Sequence, residues 1–200
     1  MNTSSWKLKD VLLVAISSVL FGIIYLGCVY AGGFLFGILT PLGLGHVAYE
    51  PFYGIFFMAA PFASYVLRKP GAAVITEVMA AVLECLMGNF FGPIVILSGI
   101  VQGGAFEAIF AMKKYKKYDR QTMVMAAIVC SVVTLIYNFF VSGYNKIAAP
   151  VLILMLFVRL ISAIIFDGIL TPFLGDGLAK AGLLRGYALA ENTNFNLEDE

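Results

Sequence analysis

The chain has 200 residues, of which 61% are hydrophobic and only 12% are charged, and its formal net charge is +1. Soluble domains are nearer half apolar and a quarter charged, so this composition excludes an ordinary soluble protein and favours a protein of the lipid bilayer. The small net charge, with lysines and arginines spread between apolar runs, gives no support for nucleic-acid binding.

Six apolar segments have about the length needed to cross a bilayer, because roughly 20 helical residues span its core of about 30 Å. The predicted spans are residues 10–31, 49–67, 70–87, 92–112, 121–142 and 148–173. Residues 32–48 are also apolar, but their five glycines and one proline favour an irregular or re-entrant cap. The sequence therefore predicts an all-α membrane protein, a bundle of six transmembrane helices.

The distribution of basic residues predicts the orientation of this bundle. Eleven lysines and arginines flank the spans on one side, whereas Lys146 alone lies on the other. The positive-inside rule then places both termini in the cytoplasm of a multi-pass protein of the cell membrane.

The segment after span six is predicted to leave the bilayer. Residues 176–187 (DGLAKAGLLRGY) are interpreted as a short interfacial helix, with leucines towards lipid and Lys180 and Arg185 towards head groups. Residues 188–200 are predicted to form a polar, disordered tail. One transmembrane domain would therefore occupy residues 1–187.

Polar side chains gather at the predicted outer ends of spans two, three and five, beneath the glycine-rich cap. They are Tyr49, Glu50, Tyr53, Glu84, Asn89, Tyr137 and Asn138. A carboxylate near hydrocarbon costs on the order of 3 kcal/mol or more, so Glu84 is interpreted as a functional residue. Apolar walls with a few convergent polar groups predict an outward-facing ligand pocket. His46, in the cap, is either a hydrogen-bonding surface residue or a ligand contact.

Two deeper charges are interpreted as structural. Glu77 and Arg159 are predicted to form an ion pair across the bundle, with Glu107 or Asp167 as other possible partners, because buried charges are usually paired. Glu84 has no cation at its predicted depth except Lys146 in an outer loop. An unpaired carboxylate that faces outward suits a cationic ligand.

Several strings, taken together, resemble the YkoE family of energy-coupling-factor (ECF) vitamin transporters. They are AYEPFYGIFF (48–57), RKPGAA (68–73), AAVLECLMGN (80–89), GIVQGGAFEAIF (99–110) and FVSGY (140–144). Members of that family are thiamine-specific, substrate-binding S components. The resemblance implies a six-helix S component that captures thiamine outside the cell, without catalysis and without a cofactor. It also implies a transmembrane coupling subunit and cytoplasmic ATPase subunits as partners.

The matching strings carry five candidate contacts for the vitamin: Glu50, Tyr53, Glu84, Asn89 and Gln102. Thiamine has a permanently positive thiazolium, which carboxylates and aromatic rings can bind, and an aminopyrimidine, which Asn or Glu can pair with. The sequence leaves thiamine and its hydroxymethylpyrimidine precursor as alternatives.

The resemblance also predicts which face of the first helix contacts the coupling subunit. Many S components present an A-x-x-x-A pattern on helix one to that subunit. Here Val19 follows Ala15 at this spacing, so Ser18 and Gly22 are predicted to supply the small pair instead.

Two rival functions differ in class from a vitamin-binding subunit. An intramembrane enzyme finds no support, because the chain has one histidine, no H-E-x-x-H, no G-x-S-x-G and no P-loop. A membrane scaffold or channel without vitamin binding remains an alternative.

Overall fold

The computed structural model describes residues 5–192, and every regular element within that range is helical. The α-helices are α1 (Leu8–Leu39), α2 (Tyr53–Phe57), α3 (Ala59–Leu67), α4 (Ala72–Leu86), α5 (Ile94–Met112), α6 (Arg120–Val141), α7 (Ala149–Ala163), α8 (Thr171–Lys180) and α9 (Ala188–Asn192). A π-helix, Ile164–Leu170, joins α7 to α8. The all-α prediction is confirmed.

Four helical stretches are long and apolar enough to cross a membrane: Leu8–Leu42, Ile94–Met112, Arg120–Val141 and Ala149–Lys180. The other two predicted spans are shorter. Span two is interrupted at Met58, between α2 and α3, and the 15 residues of α4 extend only about 22 Å. The count of six crossings therefore stays a prediction.

The distribution of side chains is the reverse of that in a soluble protein. Large apolar side chains are exposed along α1, α5, α6, α7 and α8, among them Leu8, Leu97, Phe140, Ile153 and Phe173. Charged side chains are fully buried between the helices, namely Glu50, Glu77, Arg159 and Asp167. Lipid replaces water as the solvent of the outer surface, so apolar groups face outward and charged groups lie between the helices. Glu50, Glu77 and Arg159 have hydrogen-bond partners there, whereas neither carboxylate oxygen of Asp167 has one among residues 5–192.

Helix α4 lies at the centre of the bundle, packed against α1, α3 and α5. The approach of α5 is close because Gly99 and Gly103 face α4; a Cβ atom on Gly103 would lie 2.8 Å from the Cα of Val74. Small residues allow this proximity in membrane bundles, where dispersion contacts drive helix packing. The central position of α4 sets Glu77 and Glu84 among neighbouring helices.

The predicted irregular cap over residues 32–48 is wrong for its first half. Helix α1 continues through Leu39, and the chain then forms short 3₁₀ turns at Thr40–Leu42 and Gly45–Val47. Glycine is tolerated inside membrane helices, and Gly32 is needed where it stands because a Cβ atom there would lie 2.4 Å from the Tyr49 ring.

The predicted interfacial helix over residues 176–187 is also wrong. Residues up to Lys180 continue span six, and the next residues form turns. The helix passes Pro172 because the preceding π-helix has a wider backbone repeat, in which the N–H of Thr171 bonds to the carbonyl of Phe166.

The predicted tail begins with structure rather than disorder. Residues 188–192 form α9, which packs on α3 and α8, and Leu189 is buried. Residues 193–200 lie outside the described part of the chain. Burial of the apolar Leu189 explains this local order. The polar composition of the tail as a whole gave no sign of this one buried residue.

The basic segments meet at one end of the bundle, as the orientation argument requires. Lys69 forms an ion pair of 2.5 Å with Asp10, joining the α3–α4 turn to α1, and Lys9 donates to the carbonyl of Gly186. Which membrane face this end occupies stays a prediction.

The predicted docking pair on α1 is not a free surface. The Ser18 hydroxyl is buried and donates to the Thr76 carbonyl at 3.2 Å. A Cβ atom on Gly22 would lie 3.0 Å from the Ala80 carbonyl oxygen. Both residues are used in packing α1 against α4, and of the three predicted docking residues Ala15 alone is exposed.

Candidate ligand-binding pocket

A cavity of about 270 Å³ lies between the end of α1 opposite the basic segments and the adjoining ends of α4, α5 and α6. This volume is close to the lower limit of the roughly 300–1,000 Å³ typical of ligand pockets. Its polar lining residues are Tyr25, His46, Tyr49, Tyr53, Glu77, Glu84, Ser98, Gln102, Asn138, Ser142 and Tyr144. Apolar side chains, including Val29, Phe56 and Phe91, complete the walls.

Glu84 reaches the cavity from the last turn of α4. Its Oε1 accepts a hydrogen bond from the amide of Asn89, whose own oxygen accepts from the backbone N–H of Phe91 at 2.6 Å. Asn89 therefore orients the carboxylate from behind and does not line the cavity itself. One carboxylate oxygen of Glu84 has no hydrogen-bond donor within residues 5–192.

Glu77 lies one heptad below Glu84 on the same helix face and also lines the cavity. Its Oε2 accepts from the backbone N–H of Ala60 at 2.8 Å and from the Tyr25 hydroxyl at 3.2 Å. With its amide nitrogen turned inward, Gln102 donates to Glu77 Oε1 at 3.2 Å. A hydrogen-bonding group of carboxylate, amide and phenol thus forms the deep wall.

The predicted ion pair between Glu77 and Arg159 is wrong, because Arg159 pairs with Glu50. The guanidinium binds the carboxylate through two bonds, Nε to Oε2 at 2.7 Å and Nη2 to Oε1 at 2.8 Å, and both residues are fully buried. Burial raises the pKa of Tyr144 above its usual range, so its hydroxyl stays protonated and donates to Glu50 at 3.1 Å. Glu50, predicted as a ligand contact, is thereby satisfied and does not line the cavity.

Tyr53 connects this ion pair to the cavity. Its ring lies on the Arg159 guanidinium, 3.5 Å from carbon to ring centroid, and its hydroxyl accepts from the Asn138 amide at 2.6 Å. A stacked cation and a hydrogen bond restrict the ring at both ends. Tyr53 and Asn138 both line the cavity, and their contact with a ligand stays a prediction.

Aromatic rings form part of the cavity wall. Tyr49 and Phe91 meet edge to face, with centroids 5.3 Å apart, and Tyr49 fills the space left by Gly32. Tyr49 and His46 both line the cavity. Tyr137 does not, although its hydroxyl accepts from the Ser98 hydroxyl at 3.3 Å.

Sequence reasoning placed Glu77 among structural residues and missed Tyr25, Ser98 and Phe91 as lining residues. The seven-residue spacing of Glu77 and Glu84 could have placed both in the cavity, since a heptad returns to nearly the same face. Tyr25 offers no such signal, because a tyrosine within an apolar helix can face any neighbour.

The electrostatics of the pocket favour a positively charged guest. Within residues 5–192 the two ion pairs are Lys69–Asp10 and Arg159–Glu50, so neither cavity carboxylate has a basic partner. No group of three or more His, Cys, Asp and Glu side chains in this range could hold a metal ion. Two carboxylates among aromatic rings can bind an organic cation by charge and by cation–π contact.

Three comparisons with known proteins agree with this architecture. Residues 9–133 match a family model described as "ABC-type cobalt transport system, permease component". The chain is 41% identical over 187 residues to "Putative HMP/thiamine permease protein YkoE" of Bacillus subtilis (strain 168), covering 94% of this chain and 92% of that protein. The chain belongs to the YkoE family.

A solved structure of the same kind extends the likeness to the fold. It is titled "Crystal structure of an S-component of ECF transporter" and superposes with a TM-score of 0.89 at 41% identity, covering 94% of this chain and 93% of that one. The chain therefore has the fold of an ECF S component and is a membrane transport protein, as the sequence strings predicted.

Proposed function

We propose that this protein captures thiamine in the pocket between α1, α4, α5 and α6, as the substrate-binding S component of an ECF transporter. The observation that carries the proposal is the pair of cavity carboxylates, Glu77 and Glu84, without a basic partner among residues 5–192. A ligand with a permanent positive charge supplies the missing cation. Its charge does not depend on protonation.

The two carboxylates take different parts of the vitamin in this proposal. Glu84, with one unbonded oxygen, contacts the thiazolium beneath the rings of Tyr49 and Phe91. Glu77, held beside Gln102, offers its carboxylate oxygens as acceptors to the amino group of the aminopyrimidine. The hydroxymethylpyrimidine precursor has no thiazolium and would contact Glu77 and Gln102 without the charge contact to Glu84. We therefore expect it to bind more weakly than thiamine.

Assembly and orientation complete the proposal. Six helical segments cross the cell membrane, the basic end faces the cytoplasm, and the pocket opens outward. A transmembrane coupling subunit and ATPase subunits, recruited on the cytoplasmic side, hydrolyse ATP. A cysteine in place of Lys116 tests the orientation: it should resist a membrane-impermeant thiol reagent in intact cells, and ready labelling would place the pocket inside.

Calorimetry of the purified full-length protein tests the ligand. We expect saturable binding of thiamine, weaker binding of hydroxymethylpyrimidine and no binding of Co²⁺, because the described cavity has no metal-ligand cluster. Thiamine phosphates test whether the pocket tolerates added negative charge beside its carboxylates, and we expect them to bind more weakly. Absence of binding by every pyrimidine compound would instead favour a scaffold or channel.

A further inference from the structure

A second cavity, of about 290 Å³, lies at the basic end of the bundle, opposite the candidate pocket. Four segments line it: the start of α1, the α3–α4 turn, the α5–α6 loop and the residues around the start of α9. Its charged lining residues are the cations Lys7, Lys9, Arg68, Lys69 and Lys116 and the carboxylates Asp10 and Glu191. Five cations and two carboxylates give this wall a net charge of +3.

Part of this positive charge has no partner in the described protein. Lys69 is paired with Asp10, but Lys7 and Lys116 pair with no carboxylate within residues 5–192. The Nε of Arg68 is buried and lacks a hydrogen-bond acceptor in that range. A buried donor without an acceptor is uncommon in folded proteins and points to a bound group.

Two residues that line this cavity, Arg68 and Tyr115, have a strained backbone. Arg68, Lys114 and Tyr115 have φ angles of 52°, 55° and 54°, and they are the non-glycine residues with positive φ among residues 5–192. Each such conformation costs on the order of 1 kcal/mol or more and persists where the surroundings impose it. Arg68 and Tyr115 line the cavity, and Lys114 precedes Tyr115.

An apolar helix face adjoins the cavity. Lys7 and Lys9 lie at the two edges of an exposed face of α1, whose first residues are Leu8, Val11 and Leu12, 77%, 52% and 52% exposed. Residues three and four apart on a helix are neighbours, so each lysine adjoins this face. A guest that combines an anion with hydrocarbon would satisfy both surfaces.

We propose that this cavity binds the phosphate headgroup of an anionic phospholipid, whose acyl chains lie along the exposed face of α1. The phosphate oxygens accept hydrogen bonds from Lys7, Lys116 and Arg68. Basic pockets between membrane helices are suited to such headgroups. A soluble phosphate ester shares the headgroup chemistry but leaves the apolar face without a partner.

Thermal unfolding of the full-length protein in neutral detergent, titrated with phosphatidylglycerol, tests this site. We expect phosphatidylglycerol to raise the unfolding midpoint, and phosphatidylcholine, inorganic phosphate and glycerol 3-phosphate to have little effect. In Lys7→Gln/Lys116→Gln the concentration for half the maximal shift should rise roughly thirtyfold, because each lysine contributes about one kcal/mol to lipid binding.

Lys114→Gln/Lys117→Gln is the matched control, since it removes the same charge from two exposed lysines that do not line the cavity. It should retain the response of the unmodified protein. Equal losses in the two double variants would show attraction by surface charge alone and overturn the proposal. An equal response to phosphatidylcholine, or to the soluble phosphates, would overturn it as well.

Discussion

Two groups of buried carboxylates in one bundle have opposite surroundings. Glu50 is bound through two bonds by Arg159 and receives a third from Tyr144, so its charge is compensated within the protein. Glu77 and Glu84 receive hydrogen bonds only from neutral groups in the described chain, and both face a cavity. Burial therefore does not distinguish these two groups; they differ in the charge of their partners and in their access to the cavity.

The difference has an energetic basis. Removing a charge from water costs several kcal/mol, which a bidentate cation largely offsets in the Glu50 group. Neutral donors offset less of that cost, so the Glu77 and Glu84 group gains more from a cationic ligand. A pocket of this kind therefore binds a cationic ligand more favourably than a neutral or anionic one.

The largest expected effect is on stability, at the compensated pair. Arg159→Gln leaves Glu50 as a buried charge without its cation and should lower the free energy of unfolding by about 3–5 kcal/mol, measured by thermal unfolding in detergent. The double variant Glu50→Gln/Arg159→Gln should recover much of that loss, because no charge is left unpaired. A double variant as unstable as the single one would contradict the assignment of this pair as a self-contained scaffold element.

The next effect is on affinity, at the uncompensated group. Glu84→Gln should weaken thiamine binding by a factor of roughly 30 or more, because loss of a charged partner in a desolvated site costs about 2–5 kcal/mol. The thermal midpoint without ligand should not fall, since neutralising this carboxylate relieves its desolvation.

Glu107→Gln provides the matched control for that variant. Glu107 accepts hydrogen bonds from Gly71, Ala73 and Tyr115 near the basic end and does not line the pocket. Calorimetry should therefore find its thiamine affinity unchanged. Unchanged affinity in a folded Glu84→Gln protein would remove Glu84 from the site.

A smaller effect on stability and affinity is expected at Tyr53, which lies between the Glu50–Arg159 pair and the cavity. Tyr53→Phe keeps the ring on Arg159 but removes the acceptor of the Asn138 amide, so we expect a loss of about 1 kcal/mol in stability. Thiamine affinity should fall by less than in Glu84→Gln, as measured in the same titration. A loss of affinity as large as that of Glu84→Gln would mean that the Tyr53 hydroxyl contacts the ligand directly.

The smallest effect should come from Ser98→Ala, which removes a hydroxyl at the cavity wall that is shared between the Ile94 carbonyl and the Tyr137 hydroxyl. A bond of 3.3 Å between neutral, partly exposed groups contributes little, so thiamine affinity should change by less than about threefold. A tenfold loss in the titration would indicate that Ser98 contacts the ligand directly and would widen the uncompensated group.

The sequence by itself determined the solvent, the helical class and the level of the site. Composition excluded water as the surrounding medium, apolar length predicted most of the helices, and the pattern of lysines and arginines marked one end of the bundle. The level shared by Glu84, Tyr53 and Asn138 followed from counting residues along each helix, at 1.5 Å per residue. Composition, segment length and position along the chain can all be obtained from the sequence without knowing how the helices pack.

Only the tertiary structure decided which charges meet. Arg159 could reach Glu77, Glu107 or Asp167 by depth alone, yet the rotation and approach of the helices bring it to Glu50. The same packing turned Ser18 and Gly22 inward against α4 and placed Glu77 in the cavity wall. Helical periodicity fixes the direction of a side chain relative to its own axis, but the neighbour found in that direction depends on contacts between segments far apart in the chain.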